Sequence, residues 1–153
     1  MVGSLLTGAA IAPRLTATTK RQVLSTVAEI AARAYGVKAH NVFEALMARE
    51  SLGPTGVGYG VAIPHARLQG LDRMRGVFAR VSPAIEFGAV DDKPVDLVFA
   101  LLSPAESGSD HLRALARIAR AMRSTDLRGQ LRNAGGPDAI QALFVRDEKS
   151  SAA

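Results

Sequence analysis

Two histidines and one arginine are the residues of this chain best suited to handling a charged group in transfer. His65 follows a glycine-rich segment and Pro64, His111 stands just inside a predicted helix N-terminus, and Arg49 directly precedes the glycine segment. Neutral imidazole is nucleophilic near neutral pH, and a guanidinium binds phosphate oxygens bidentately. The free N–H groups of a helix start attract anions. Together, these groups could hold a phosphoryl group during its transfer.

Each of these residues also has a structural interpretation. A single histidine is more often part of a protein's framework than of its chemistry. Arg49 could form an ion pair with Glu50, and the side chain of His111 could cap its helix. The residue types alone leave these alternatives open.

Glycine occupies every second position before His65, at Gly56, Gly58 and Gly60. Because glycine packs no side chain and loses more entropy in a strand, this repetition indicates tight turns or close approach by a ligand or another backbone. Pro64 cannot donate to a sheet, so the strand is predicted to end there or lie at an edge, with His65 projecting from its end. The glycines precede Pro-His rather than Gly-Lys-Ser/Thr or a helix start, so a nucleotide P-loop is excluded and a dinucleotide fingerprint fits poorly.

Helices come first among the elements that must position these residues. Thr19 and Gln22 form a capping-box pattern for a first helix. Asn41 and Glu44 repeat that signal for a second helix, which is predicted to stop before Gly53-Pro54.

Strands and further helices follow the glycine segment. Val77–Val81 alternates like a half-buried strand, Ile85–Phe87 is predicted as a short one, and Val95–Leu102 as a central strand covered on both faces. Ser109 or Asp110 is predicted to cap the helix that carries His111. Its predicted core-facing residues are Leu112, Leu115, Ala119 and Met122.

The chain ends in two more predicted helices and a polar tail. Asp126–Arg132 is predicted as a short helix, Pro137 as the first turn of the last one, and residues 147–153 as a tail that frays. The order of elements predicts one α/β (α+β) domain over residues 1–153, with helices covering a mixed β-sheet.

Composition excludes several classes of site. The 153 residues are 48% apolar and contain no cysteine, so the chain can bury a core but cannot form disulfides, zinc–thiolate sites or a thiol nucleophile. No apolar run reaches about 18 residues, which predicts no membrane span, and the N-terminus lacks the basic start of a signal peptide. These features fit a cytoplasmic protein.

The net charge of +5 comes mostly from arginines that cluster in the last third of the chain. A basic stripe is one mark of nucleic-acid binding. With only two tyrosines and five phenylalanines, none interleaved with the arginines, base stacking has little support. The cluster is therefore interpreted as the solvated face of helices; its members are Arg113, Arg117, Arg120, Arg123, Arg128 and Arg132.

Two long stretches resemble one bacterial family. ARESLGPTGVGYGVAIPHARL, at residues 48–68, resembles the signature of type-2 EIIA domains of the phosphoenolpyruvate phosphotransferase system, the fructose/mannitol class. VFARVSPAIEFGAVDDKPVDLVFALLSPAESGSDHLRALARIAR, at residues 77–120, is more similar to the nitrogen-regulatory EIIA proteins. The similarity extends over about residues 5–145.

This resemblance implies a fold, a site and partners. It implies a mixed sheet with helices on both sides, phosphorylation of His65, contact of Arg49 with the phosphoryl group, and a second active-site histidine at His111. The glycines before His65 would shape the approach to it. The implied donor is an HPr- or NPr-type phosphocarrier protein, with phosphoryl derived from phosphoenolpyruvate through partner proteins and no cofactor or metal.

Two departures from the family pattern flank the site. Tyr59 stands where many nitrogen-type members have asparagine, and Ala66-Arg67 replaces the usual glycine-lysine. Both concern partner contacts more than the chemistry.

Four functions remain to be distinguished. The first is a nitrogen-regulatory carrier whose phosphorylation changes its protein binding, and the second is a sugar-specific EIIA that passes phosphoryl to an EIIB domain. The third is a hydrolytic metal site at His65 and His111 with Asp110 as a third ligand, and the fourth is a nucleic-acid-binding module. The resemblance favours the first.

Overall fold

The computed structural model describes residues 2–152, and this range folds as one mixed sheet with helices packed on it. Two single turns of 3-10 helix, Gly3–Leu5 and Gly8–Ala10, precede the first strand. The strands are β1 (Ile11–Leu15), β2 (Gly56–Gly58), β3 (Val61–Ala62), β4 (His65–Leu68), β5 (Arg75–Ile85) and β6 (Val95–Pro104). The helices are α1 (Lys20–Tyr35), α2 (Ala39–Glu50), α3 (Ser109–Met122), α4 (Thr125–Asn133) and α5 (Pro137–Ala152).

The sheet runs in the order β1-β5-β6-β3-β2, with β4 also paired to β6. Strand β6 is antiparallel to β5 and parallel to both β3 and β4. Val61 pairs with Leu97 and His65 with Leu101, an offset of 36 in both cases, so β3 and β4 are two parts of one line along β6. The predicted mixed sheet is confirmed.

Helices cover both faces of the sheet. Helices α1 and α2 bury one face together with Val98, Ala100 and Leu102 of β6. Helices α3, α4 and α5 bury the other with the alternate residues of β6, where Phe99 and Phe144 meet edge to face at 5.4 Å. Alternate residues of β6 thus enter two separate cores, as predicted for a central strand.

The two helix-start signals differ in outcome. Thr19 caps α1 as predicted, since its hydroxyl oxygen accepts from the Gln22 N–H at 3.1 Å. The prediction for Asn41 is wrong, because α2 begins at Ala39 and its cap, Lys38, makes no side-chain bond. The packing of buried Val42 and Leu46 sets where this helix lies, and packing overrides a local propensity.

Strand β5 is longer and more buried than predicted. The two predicted strands at Val77–Val81 and Ile85–Phe87 are one strand, which ends at Ile85, with a register irregularity after Arg80. Val77, Phe78 and Ala79 are all fully buried rather than alternating, because helices cover both faces of the sheet.

The buried face of α3 is rotated about the helix axis relative to the predicted one. The helix cap is Gly108 without a side-chain bond, rather than Ser109 or Asp110, and Leu112 is 64% exposed. Met122 is buried as predicted, while Leu115 and Ala119 are partly buried. The buried face is instead formed by His111, Ala114, Ile118, Ala121 and Met122.

The chain end is helical where it was predicted to fray. Helix α5 continues to Ala152, and Glu148 Oε1 accepts a hydrogen bond from the Gly3 N–H at 3.0 Å, which ties this turn to the N-terminal segment. The first and last residues of the predicted domain, 1 and 153, lie outside the described range. Among residues 2–152, no helix has the length and apolarity needed to cross a membrane.

Candidate active site

His65 is held so that one ring nitrogen is fixed and the other is available. It begins β4, and its Nδ1–H donates to the Ile63 carbonyl at 2.8 Å. A carbonyl oxygen only accepts, so this bond fixes the tautomer and leaves the lone pair on Nε2. Burial, with a smaller contribution from Arg49, lowers the pKa of His65 below its usual range despite the opposing bond to Ile63. The ring is therefore neutral at neutral pH, as a nucleophile requires.

Strand β3 ends at Ala62, just before Pro64, as predicted, but His65 begins β4 rather than projecting from a strand end. The proline has no N–H, but its carbonyl oxygen accepts from the Leu101 N–H at 2.9 Å. The backbone therefore returns to pairing with β6 at His65 itself. His65 is anchored on a strand beside the most buried strand of the sheet.

Arg49 joins the end of α2 to the imidazole. Its Nε–H donates to His65 Nε2 at 3.1 Å, and its Nη1 donates to the Gly53 carbonyl at 2.9 Å. The alternative ion pair with Glu50 is not formed, because Glu50 is bound to Lys20 Nζ at 2.8 Å and to the Thr55 N–H at 2.9 Å. Both ends of the turn at 51–55 are thus fixed, and the guanidinium charge remains directed at His65.

His111 faces His65 from the first turn of α3. Their ring centroids lie 5.5 Å apart, and His111 is 6% exposed. Its Nδ1 lies 2.7 Å from Ser103 Oγ, so it does not cap its helix. Burial, followed by the positive charge of Arg67 and by that of His65 when His65 is protonated, lowers the pKa of His111 to about 4. His111 is therefore a neutral imidazole at neutral pH.

The glycines allow the backbone to pass where side chains could not. A Cβ on Gly56 would lie 2.9 Å from the backbone and Cβ of Ala89. Gly60 has φ of +76°, and its Cβ would lie 2.8 Å from Asp96 Oδ1. Asp96 and the Tyr59 carbonyl both bind Arg132, which holds this turn in place. Gly56 thus permits close approach of another backbone and Gly60 permits a tight turn, the two roles predicted for these glycines.

The arrangement is suited to in-line attack at phosphorus by His65 Nε2. The Arg49 guanidinium, now on that nitrogen, is within reach of the oxygens of an arriving phosphoryl group, and His111 flanks the same position. Asp110 binds Arg113 at 2.6 Å, and within the described range no three histidine or acidic side chains are grouped to hold a metal ion. The hydrolytic metal site gains no support.

Sequence comparison identifies the family. The family described as "Phosphoenolpyruvate-dependent sugar phosphotransferase system, EIIA 2" matches residues 4–146. The chain belongs to this family. The resemblance shown by the two long stretches is confirmed.

Relatives of this EIIA chain include nitrogen regulatory proteins. The nitrogen regulatory protein of Bradyrhizobium diazoefficiens is 45% identical and aligns over 94% of each chain. The crystal structure of nitrogen regulatory protein IIA-Ntr from Neisseria meningitidis is 32% identical, with a TM-score of 0.87 over 93% of this chain and 97% of that one. Mannitol IIA from Escherichia coli shares the fold, with a TM-score of 0.75 at 23% identity over 90% of this chain and 97% of that one.

Ser103 is a site residue of this EIIA chain that sequence reasoning missed. It is fully buried on β6, and within residues 2–152 its hydroxyl has no acceptor other than His111 Nδ1. A buried O–H without an acceptor costs about 1–3 kcal/mol, so the Ser103 proton is donated to Nδ1. His111 therefore carries its own proton on Nε2, at the opposite end of the ring, as a hydrogen-bond donor. The only available signal in the sequence was that Ser103 is a polar residue directly after the apolar run predicted as the central strand, Val95–Leu102.

Replacing Ser103 with alanine should release the tautomer of His111. We expect nitrogen-resolved NMR to show the His111 proton on Nε2 in the parent and distributed over both nitrogens in Ser103→Ala. Phosphoryl transfer should slow by about two- to tenfold, the scale of one net hydrogen bond. Ser103→Thr, which keeps the hydroxyl, is the control. A parent His111 protonated on Nδ1 would contradict the assignment.

Proposed function

We propose that this chain is a cytoplasmic phosphoryl carrier in which His65 Nε2 accepts a phosphoryl group from the phosphohistidine of an HPr- or NPr-type protein. The observation that carries the proposal is the pair of hydrogen bonds made by the His65 ring. Its Nδ1–H donates to the Ile63 carbonyl, and the lone pair of its Nε2 accepts from the Arg49 guanidinium. No cofactor or metal is needed, since the phosphoryl group moves between two imidazole nitrogens of similar energy.

The chain's own side chains account for the charges in this transfer. The bond from phosphorus to the donor nitrogen breaks as the bond to Nε2 forms, and no proton has to leave His65. The phosphorylated ring keeps Nδ1–H, whose positive charge is stabilised by the Ile63 carbonyl. Arg49 and the Nε2–H of His111 then stabilise the phosphoryl oxygens.

We infer a regulatory role, in which phosphorylation of His65 changes binding to other proteins. Similarity to nitrogen regulatory proteins over 94% of the chain supports it. The alternative is a sugar-specific EIIA that passes phosphoryl to an EIIB domain, which the family description favours.

The proposed carrier function is tested by phosphorylation in solution. The chain is incubated with phosphoenolpyruvate, enzyme I and an HPr-type protein, and its intact mass is measured. We expect an acid-labile gain of one phosphoryl group. No gain while the HPr-type protein is itself phosphorylated would refute the proposal.

The residues around His65 suggest how a partner would sense phosphorylation. An apolar patch of Tyr59, Val61, Ala62 and Ala66 is expected from sequence, but Val61 and Ala62 are fully buried and Ala66 is 6% exposed. They pack into the two cores on either side of the sheet. Four large apolar side chains remain exposed on the elements that bear site residues or in the turns that join them: Leu52, Val57, Tyr59 and Leu112.

A partner of the regulatory form should distinguish two charge states of His65. A phosphoryl group adds about −1.5 to −2 charges, and burying such a charge against apolar side chains is unfavourable. We expect pull-downs from cell extract to capture a partner with His65→Ala and lose it with His65→Glu or with enzymatically phosphorylated parent. Identical capture by all forms would instead indicate a relay to a sugar-transport EIIB domain.

A further inference from the structure

The predicted arginine cluster divides between solvent and the fold. Its four members on α3 or at the end of that helix are exposed, as predicted for a solvated face: Arg113, Arg117, Arg120 and Arg123. Arg132 pairs with Asp96, and Arg128 is buried, contrary to the prediction. Among residues 2–152, the one exposed tyrosine or phenylalanine is Tyr59, and Arg128 covers its ring at 4.5 Å. Base stacking, and with it the nucleic-acid-binding alternative, therefore gains no support.

Glu50 is the one acidic residue of the described range that is buried, at 8% exposed. It ends α2, and its carboxylate points into the start of the glycine-rich segment. One oxygen accepts from the Thr55 N–H at 2.9 Å and from Lys20 Nζ at 2.8 Å, while the other accepts from the Thr55 hydroxyl. A buried carboxylate is costly unless it is paired and hydrogen-bonded. These bonds meet that cost, and they hold Thr55 by both its backbone and its side chain.

Thr55 closes the open end of the hairpin formed by β2 and β3. These short strands are antiparallel, and their three glycines pack no side chains, so their pairing is intrinsically weak. The Thr55 carbonyl accepts from the Ile63 N–H at 3.0 Å, directly beyond the paired residues. The tip of the hairpin is held by exposed side chains instead. Glu50 thus anchors the end of the hairpin that leads into His65.

The same bonds continue to the His65 ring. Ile63, which Thr55 holds by its N–H, accepts the Nδ1–H of His65 on its carbonyl at 2.8 Å. Consecutive residues at the end of α2 therefore reach the two ring nitrogens, Arg49 directly at Nε2 and Glu50 indirectly at Nδ1. Burial lowers the pKa of His65, and the negative charge of Glu50 acts in the opposite direction. The carboxylate thereby favours positive charge on the ring.

We propose that Glu50 is a positioning residue for phosphoryl transfer, which selects the attacking nitrogen of His65 by holding the Ile63 carbonyl against Nδ1. This inference rests on the proposed carrier function and adds a residue to its mechanism. Arg49 favours the same tautomer while it donates to Nε2, but it must turn to the phosphoryl oxygens as transfer begins. From that point the Ile63 carbonyl keeps the proton on Nδ1. A ring protonated on Nε2 has no lone pair there with which to attack.

NMR of the unphosphorylated protein tests the positioning by itself. Because Arg49 favours the same tautomer, the comparison is made between Arg49→Ala and Arg49→Ala/Glu50→Ala. At neutral pH, nitrogen-resolved spectra should show the His65 proton on Nδ1 in the first protein and shared between both nitrogens in the second. Glu50→Gln in the same background should return the proton to Nδ1, since an amide can keep both bonds to Thr55. Glu44→Ala, which removes an exposed glutamate of the same helix, is the control and should change nothing.

Single-turnover transfer from the phosphorylated HPr-type protein, with Arg49 in place, is the second measurement. We expect Glu50→Ala to slow it by about two- to tenfold, the scale of one net hydrogen bond, and Glu50→Gln to recover most of the rate. Glu50→Asp, one methylene too short to reach Thr55, replaces the alanine variant if circular dichroism shows that the latter does not fold.

The two measurements separate the positioning role from the carrier function. A His65 proton that stays on Nδ1 in folded Arg49→Ala/Glu50→Ala protein overturns the positioning role and leaves the carrier function standing. Equal loss of rate in Glu50→Ala and Glu50→Gln overturns it as well, because the amide keeps the contacts to Thr55. A parent chain that the phosphorylated donor does not label refutes the carrier function, whatever the NMR spectra show.

Discussion

His65→Ala abolishes the acid-labile gain of one phosphoryl group, the largest effect expected of any single change in this chain. His65 is the histidine whose Nε2 lone pair faces a guanidinium while its other nitrogen is fixed by a backbone carbonyl. Intact-mass measurement after incubation with the complete donor system gives the result directly, and circular dichroism checks the fold.

His40→Ala is the matched control for this substitution. His40 is exposed in the first turn of α2, distant in that helix from Arg49 at its end. It should be labelled as fully as the parent. Labelling of His65→Ala at the parental rate would remove His65 from the proposed mechanism, whereas loss of labelling in the control would indicate another acceptor.

Arg49→Ala is expected to slow phosphoryl transfer by about 10- to 1000-fold, the scale of a lost donor to transition-state charge. The Arg49 guanidinium, which donates to His65 Nε2 in this structure, would no longer be available to bind the phosphoryl oxygens. Single-turnover transfer from the phosphorylated donor measures the loss. Arg49→Lys should recover only part of the rate, because an ammonium lacks the planar fork that binds two oxygens.

Arg49 also binds the Gly53 carbonyl, so the fold needs its own check. Glu50 holds the same turn independently through Thr55 and Lys20, and normal circular dichroism is therefore expected. Arg33→Ala, at an exposed position on α1, is the control. His111→Ala should act in the same direction as Arg49→Ala. Parental rates in both site variants, with the fold intact, would assign Arg49 and His111 to structure alone.

Local signals predicted those parts of the fold that depend on local chemistry. The Thr19 cap, the glycines that permit close approach and a tight turn, and the apolar run that becomes β6 each depend on a few neighbouring residues. The candidate site was predictable through its residue types and through resemblance to a family. Geometry then showed that Arg49, His65 and His111 converge.

Long-range packing decided what the sequence could not. Asn41 carries a good capping pattern, but contacts of Val42 and Leu46 start the helix earlier. Leu112 is exposed because His111 turns inward to Ser103, eight residues back in sequence and on another element. The choice between the nitrogens of His65 likewise depends on where the Ile63 carbonyl points. None of these follows from periodicity or propensity.

The position of His65 on a paired strand determines what kind of signal phosphorylation can produce. Backbone pairing with β6 fixes Pro64 and His65 on one side, and the Ile63 carbonyl fixes the ring on the other. Switches that order or release a loop convey their state through shape. Here backbone pairing holds the residue that we propose is modified, so we expect the two states to differ in surface potential and in the contacts of Arg49 rather than in backbone conformation. A protein that distinguishes them must carry its sensing groups to within about a Debye length of His65, some 8–10 Å at cellular salt.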